Sequence, residues 1–265
     1  MQALPFATIA FVLYIAAAIW QGMTLVRRVP PRRGMVRLLG AIGLLLHIPV
    51  VVMLLREAPG LLPGFTTSVT LLMAVAVNVV LIASLFKPVL NAAIALFPLA
   101  GVALIFATWL PNQGSHTGLT PGILLHAASS ALAFAVLAIA AVQAVLVGLQ
   151  NQALRHHHIR GIVQSLPPLT TMERVLFELV WAGVLLLTLS IASGLIFLDN
   201  FFAQHLMHKT VLSIAAWVIF TTLLVGRHRF GWRGMRAVRW TLGGCLLLVL
   251  AYFGSKFVLE IILAR

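Results

Sequence analysis

The sequence predicts an all-α fold, a polytopic membrane bundle of about eight transmembrane helices. Three observations carry that expectation. Of the 265 residues, 62% are hydrophobic and only 9% are charged, whereas a soluble domain carries roughly 25% charged residues. So few charges cannot cover a water-facing surface. Mean hydropathy is +1.08, and apolar runs recur, each near the roughly 20 residues that cross a hydrocarbon core. Most of the basic residues sit in the short loops between these runs.

The runs are taken in chain order, as roughly 3–26, 37–55, 66–86, 89–108, 122–149, 173–198, 209–226 and 238–262. The first has no basic side chain ahead of it and meets Arg27 and Arg28 only at its end. It is too long for a signal-peptide core and is expected to stay as a span. The second carries His47 about ten residues in, near mid-bilayer at ~1.5 Å per residue. The third and fourth are nearly free of charge, and Trp109 follows the fourth; with Trp20 and Trp232 it suits an interfacial belt. The fifth is rich in alanine (Ala127, Ala128, Ala131, Ala133, Ala135), which permits close helix packing. The sixth, seventh and eighth complete the set, with Cys245 inside the last. Helix is the default because open strands cannot satisfy their backbone in lipid, and the runs lack the alternation of barrel strands. A single integral-membrane domain over 1–265 is expected.

The formal net charge is +13. A basic excess can mean nucleic acid, but here its placement argues for topology and for the lipid bilayer as partner, with no nucleic acid. One set of loops and span ends holds Arg27, Arg28, Arg32, Arg33, Arg37, Lys87, Arg155, Arg160, Arg174, Arg227, Arg229, Arg233, Arg236 and Arg239, fourteen in all. The other set holds four, Arg56, Lys209, Lys256 and Arg265. The richer side is expected in the cytoplasm, which puts both termini outside, in the periplasm of a Gram-negative host. Lipid headgroups are a secondary partner for such charges. The lone Cys245 excludes a disulfide framework or a cysteine metal site.

Few residues in the spans can carry chemistry. The intramembrane histidines are His47 and His126, and Ser129 and Ser130 follow His126 on the same helix face. His205 and His208 stand at the outer mouth of the seventh span and His116 in the preceding outer loop, while His156, His157 and His158 read as a solvated loop. Ionisable groups in a bilayer are costly and usually functional, and neutral imidazole is a strong haem-iron ligand. A histidine hydrogen-bonded to a neighbouring helix is the plain alternative. The carboxylates (Glu57, Glu173, Glu178, Asp199, Glu260) all lie at or near span ends. That argues against a proton pump, and no paired acids or Ser-His-Asp set suggests a hydrolase.

Several stretches together resemble a known family over about 37–260. They are Leu-Leu-His47 with Leu55-Arg56, Thr120-Pro121-Gly122 leading to His126 and Ser129, and Pro167-Pro168-Leu169 through Met172-Glu173-Arg174 to Ser193-Gly194. Lys209 to Trp217, Gly231-Trp232-Arg233-Gly234 and Ala251-Tyr252-Phe253-Gly254 complete them. In order and spacing the chain is similar to the integral-membrane cytochrome c assembly family of haem-handling proteins, and most to its short bacterial inner-membrane branch. The resemblance implies haem held by paired histidines beside a tryptophan-rich outer platform. His47 matches the family's intramembrane histidine, and His126 matches the histidine ahead of the platform. The resemblance also suggests His208 or His205 as the iron partner of His126, with His47 a deeper haem contact. The platform itself is replaced: Asp199-Asn200-Phe201-Phe202 runs to His208-Lys209 without a tryptophan before Trp217.

The function expected is therefore non-enzymatic: a haem-binding membrane protein working with other cytochrome c biogenesis components. Its rivals are a permease-like or accessory subunit of a small-solute or ion transport system without haem, and a structural partner without ligand.

Overall fold

The computed structural model describes residues 3–57, 64–110, 120–156, 161–197 and 204–254. Among them, eight helices are long and apolar enough to cross a membrane. They are α1 (Ala3–Leu25), α2 (Arg33–Glu57), α3 (Phe65–Phe86), α4 (Ala93–Trp109), α5 (Pro121–Arg155), α6 (Leu169–Phe197), α7 (Gln204–Phe230) and α8 (Met235–Val249). The eight spans expected from the sequence are thus present in order. α2, α5 and α7 run past their apolar stretches at both ends because backbone hydrogen bonding continues into polar flanks. At 35 residues and 1.5 Å per residue, α5 is about 52 Å long and outlasts the hydrocarbon core.

The chain divides into two compact units. The first is Met1–Leu119 with His158–Pro167; the second is Thr120–His157 with Pro168–Arg265. In the first, α1 packs against α2 and α4, and α3 packs against the same two, closing a ring of four. In the second, α5 packs extensively on α6, α6 on α7, α7 on α8, and α8 back on α5.

Lipid offers helices no hydrophobic drive to associate, so close contact at small residues must hold each ring. Glycines supply it by receiving aromatic rings. A Cβ on Gly43 would stand 2.8 Å from the Tyr14 ring, one on Gly244 2.6 Å from Phe220, and one on Gly122 2.3 Å from Phe197. Tyr14, Phe97 and Phe220 are fully buried, whereas Leu45 and Leu185 are more than 60% exposed, as lipid-facing leucines should be. Cys245 is a small packing residue whose Sγ donates to the Leu137 carbonyl of α5 at 3.3 Å.

Helix ends are tied by side chains. Thr120 Oγ1 accepts from the Ile123 amide at 3.3 Å, with Pro121 at the first helical position of α5. Buried Glu173 accepts the Gly234 amide at 2.7 Å, just ahead of α8, where Gly234 takes a φ of 61° that favours glycine.

Candidate functional site

The two intramembrane histidines belong to different units and have different surroundings. His47 on α2 has no solvent exposure. Its Nε2 lies 3.1 Å from the Thr70 carbonyl of α3, and its Nδ1 lies 3.2 Å from the Tyr14 hydroxyl of α1. A carbonyl only accepts, so Nε2 carries the proton and Nδ1 accepts from the tyrosine. Both nitrogens are committed. Thr70 extends the chain: its hydroxyl reaches the Ala103 carbonyl of α4 at 3.2 Å as well as its own Thr66 carbonyl at 2.8 Å. The Tyr14 ring then lies 5.4 Å from Phe97 on α4. One polar path therefore crosses all four helices of the first unit.

His126 sits in the second turn of α5, half-buried. Its Nδ1 lies 2.8 Å from the Ser190 carbonyl of α6. By the same logic Nδ1 is the donor, which leaves Nε2 with its lone pair outward from that bond. Among the described residues none hydrogen-bonds Nε2. Serines surround the imidazole. Ser129 and Ser130 return their hydroxyls to the carbonyls of Leu125 and His126 at 2.7 Å each. Ser130 also meets Ser190 hydroxyl to hydroxyl at 2.5 Å, and Ser193 donates to the Ser190 carbonyl at 3.0 Å. The ring is thus fixed in one tautomer and orientation by a neighbouring helix, the device that prepares metal-ligating histidines.

Leu124, Leu125 and Ile196 present exposed apolar surface near this end of the unit, suited to a flat apolar macrocycle, and a neutral nitrogen donor suits haem iron. In donor type, a neutral imidazole with Nε2 open, His126 has the chemistry of a haem ligand. Trp217 of α7 donates to Thr188 on α6 at 2.8 Å, so α7 begins near the end where α6 finishes. His205 and His208 lie on that first stretch of α7, but their side chains are outside what is described, as are His116, His157, His158 and the Asp199–Phe202 stretch. His156 ends α5 as its C-cap. No group of three or more His, Cys, Asp or Glu gathers into a metal cluster among the described residues.

Sequence reasoning singled out both histidines but not their partners. Tyr14, Thr70 and Ser190 were missed. The spacing of Ser190 and Ser193, three apart in the otherwise apolar stretch from Leu189 to Phe197, was the signal available for one of them.

Comparison with known proteins bears on this site. The family model described as Cytochrome C assembly protein matches residues 55–263. The inner membrane protein YpjD of Escherichia coli (strain K12) is 38% identical over 167 residues, 63% of each chain. An uncharacterized 28.8 kDa protein in the nifR3-like 5' region of Azospirillum brasilense is 37% identical over 150 residues, 55% of each chain. The matched region thus spans less than two thirds of the length of these curated relatives. No solved structure matches the chain.

Proposed function

We propose, from the premise that this chain belongs to the cytochrome c assembly protein family, that it binds haem in the membrane and assists cytochrome c assembly without catalysing a reaction. The observation that carries the reading is the His126 Nδ1 contact with the Ser190 carbonyl at 2.8 Å, which leaves the opposite nitrogen free to coordinate. Haem, when bound, supplies an iron that accepts this lone pair. The chain's own residues do the rest. Ser190 fixes the ring, and the hydroxyls of Ser129 and Ser130 satisfy their own helix rather than compete for Nε2. His208 would be the second histidine to hold the iron, with His205 three residues before it as the alternative. At His47 both nitrogens are already bonded, so contact with haem there would replace the Tyr14 or Thr70 bond.

The location we propose is a bacterial inner membrane, since the relative in Escherichia coli is named for it. Both termini are proposed on the periplasmic side, by the fourteen-to-four split of basic residues.

An absorbance spectrum of protein purified in detergent from haem-replete cells tests the reading. The wild type should carry a Soret band. His126→Ala should lose or shift it, with partial return on adding imidazole, and His156→Ala should leave it alone. Equal haem and identical spectra in wild type and His126→Ala would remove His126 from the proposal, and a colourless wild type would favour the transport alternative.

A further inference from the structure

The arginine-rich end of the first unit lines an open cavity of about 660 Å³. Five cations line it, Arg27, Arg28, Arg33, Arg37 and Lys87, and no carboxylate is among the described residues that do. A preference for basic loops on one side of a membrane explains why arginines occur at this level. It does not require them to converge on one cavity, nor to be held there. Here they are held. Arg37 donates through Nε to Ser84 Oγ at 3.0 Å and through Nη2 to the Ser84 carbonyl, and Arg27 donates to Gln164 at 2.5 Å. Two further lining residues are buried or paired amides: Gln21, 8% exposed in its span, donates to Asn91 at 2.7 Å. On the wall, Ser165 Oγ is buried without a hydrogen-bond partner, a polar group whose burial costs free energy until a ligand meets it.

We propose that this cavity holds the phosphate headgroup of an anionic phospholipid. Converging guanidinium groups bind phosphate through forked, charge-assisted hydrogen bonds, and basic pockets among span ends are where anionic headgroups lodge. The outer surface favours a lipid over a free ion. Val26, next to Arg27, is 43% exposed, and Leu85 and Phe86, next to Lys87, are 61% and 79% exposed. Apolar surface for acyl chains therefore adjoins the cations on both helix ends. This site is in the first unit and owes nothing to the haem reading.

Native mass spectrometry of the detergent-purified full chain tests it, with phosphatidylglycerol, phosphatidylcholine and inorganic phosphate as probes. The wild type should retain phosphatidylglycerol and release phosphatidylcholine. Arg28→Gln with Arg33→Gln should weaken retention about thirtyfold, since each basic residue near an anionic surface contributes roughly fivefold. Ser165→Phe puts an apolar ring into the cavity wall and keeps every charge, hence the topology, and should also weaken it. Arg229→Gln with Arg239→Gln, an equal loss of charge outside the cavity, should not. Unchanged retention in both cavity variants, or an equal loss in the control pair, overturns the proposal. Displacement of the lipid by equimolar inorganic phosphate would assign the cavity to a free anion and overturn the lipid assignment.

Discussion

An imidazole in a membrane can complete a packed core or offer a lone pair, and its hydrogen bonds decide which. Rarity in apolar runs was enough to single out His47 and His126 from sequence. Distinguishing them was beyond it, because each decisive partner lies on another helix, 33 and 23 residues away for His47 and 64 for His126. At His47 the Tyr14 bond should be measurable. Tyr14→Phe leaves Nδ1 without its donor, and His47→Phe leaves the hydroxyl without its acceptor. The double-mutant cycle, read from thermal unfolding in detergent, should give a coupling of about 0.6–1.7 kcal/mol. Additive single effects would mean that the 3.2 Å approach contributes no bond.

At the scale of the helix, the apolar runs marked the number, order and centres of the spans, while their ends were less legible. Hydropathy falls at Gln150, Asn151 and Gln152, yet α5 continues to Arg155, since nothing there breaks a helix. The last run was expected to reach 262; regular α-helix stops at Val249, a π-helical turn carries the chain to Gly254, and 255–262 lie outside the described residues. Nor does sequence say which glycines touch a neighbour. Gly243 and Gly244 are adjacent on α8, but a Cβ on Gly244 would meet the buried Phe220 ring at 2.6 Å and one on Gly243 would meet nothing within 4 Å. Gly244→Ala should therefore cost about 1–3 kcal/mol through overpacking. Gly243→Ala should be neutral or stabilise by roughly 0.5–1 kcal/mol through reduced backbone entropy loss. Paired melting curves check both, and equal shifts of the same sign would refute the α7–α8 contact.

For the whole molecule, composition alone carried the membrane class, and the distribution of arginines carried the orientation we propose. Phosphatase fused after Ser115 should be active, and the same fusion after His158 should be silent. The reverse pattern would invert the proposed orientation. What composition could not carry was the division into two compact rings of four helices, because ring closure depends on which faces meet, and in lipid both the inner and outer faces are apolar.

The path from Tyr14 through His47 and Thr70 to Ala103 also bears on how such a chain is made. A ribosome delivers the helices one at a time, so the imidazole of α2 arrives with only Tyr14 behind it. The carbonyl that takes its Nε2 proton comes with α3, and the carbonyl that takes up the Thr70 hydroxyl comes later still, with α4. An imidazole N–H stranded in hydrocarbon costs several kcal/mol. The first two helices are therefore unfavourable guests of lipid on their own, and α2 should settle there only once α3 brings the Thr70 carbonyl to its imidazole.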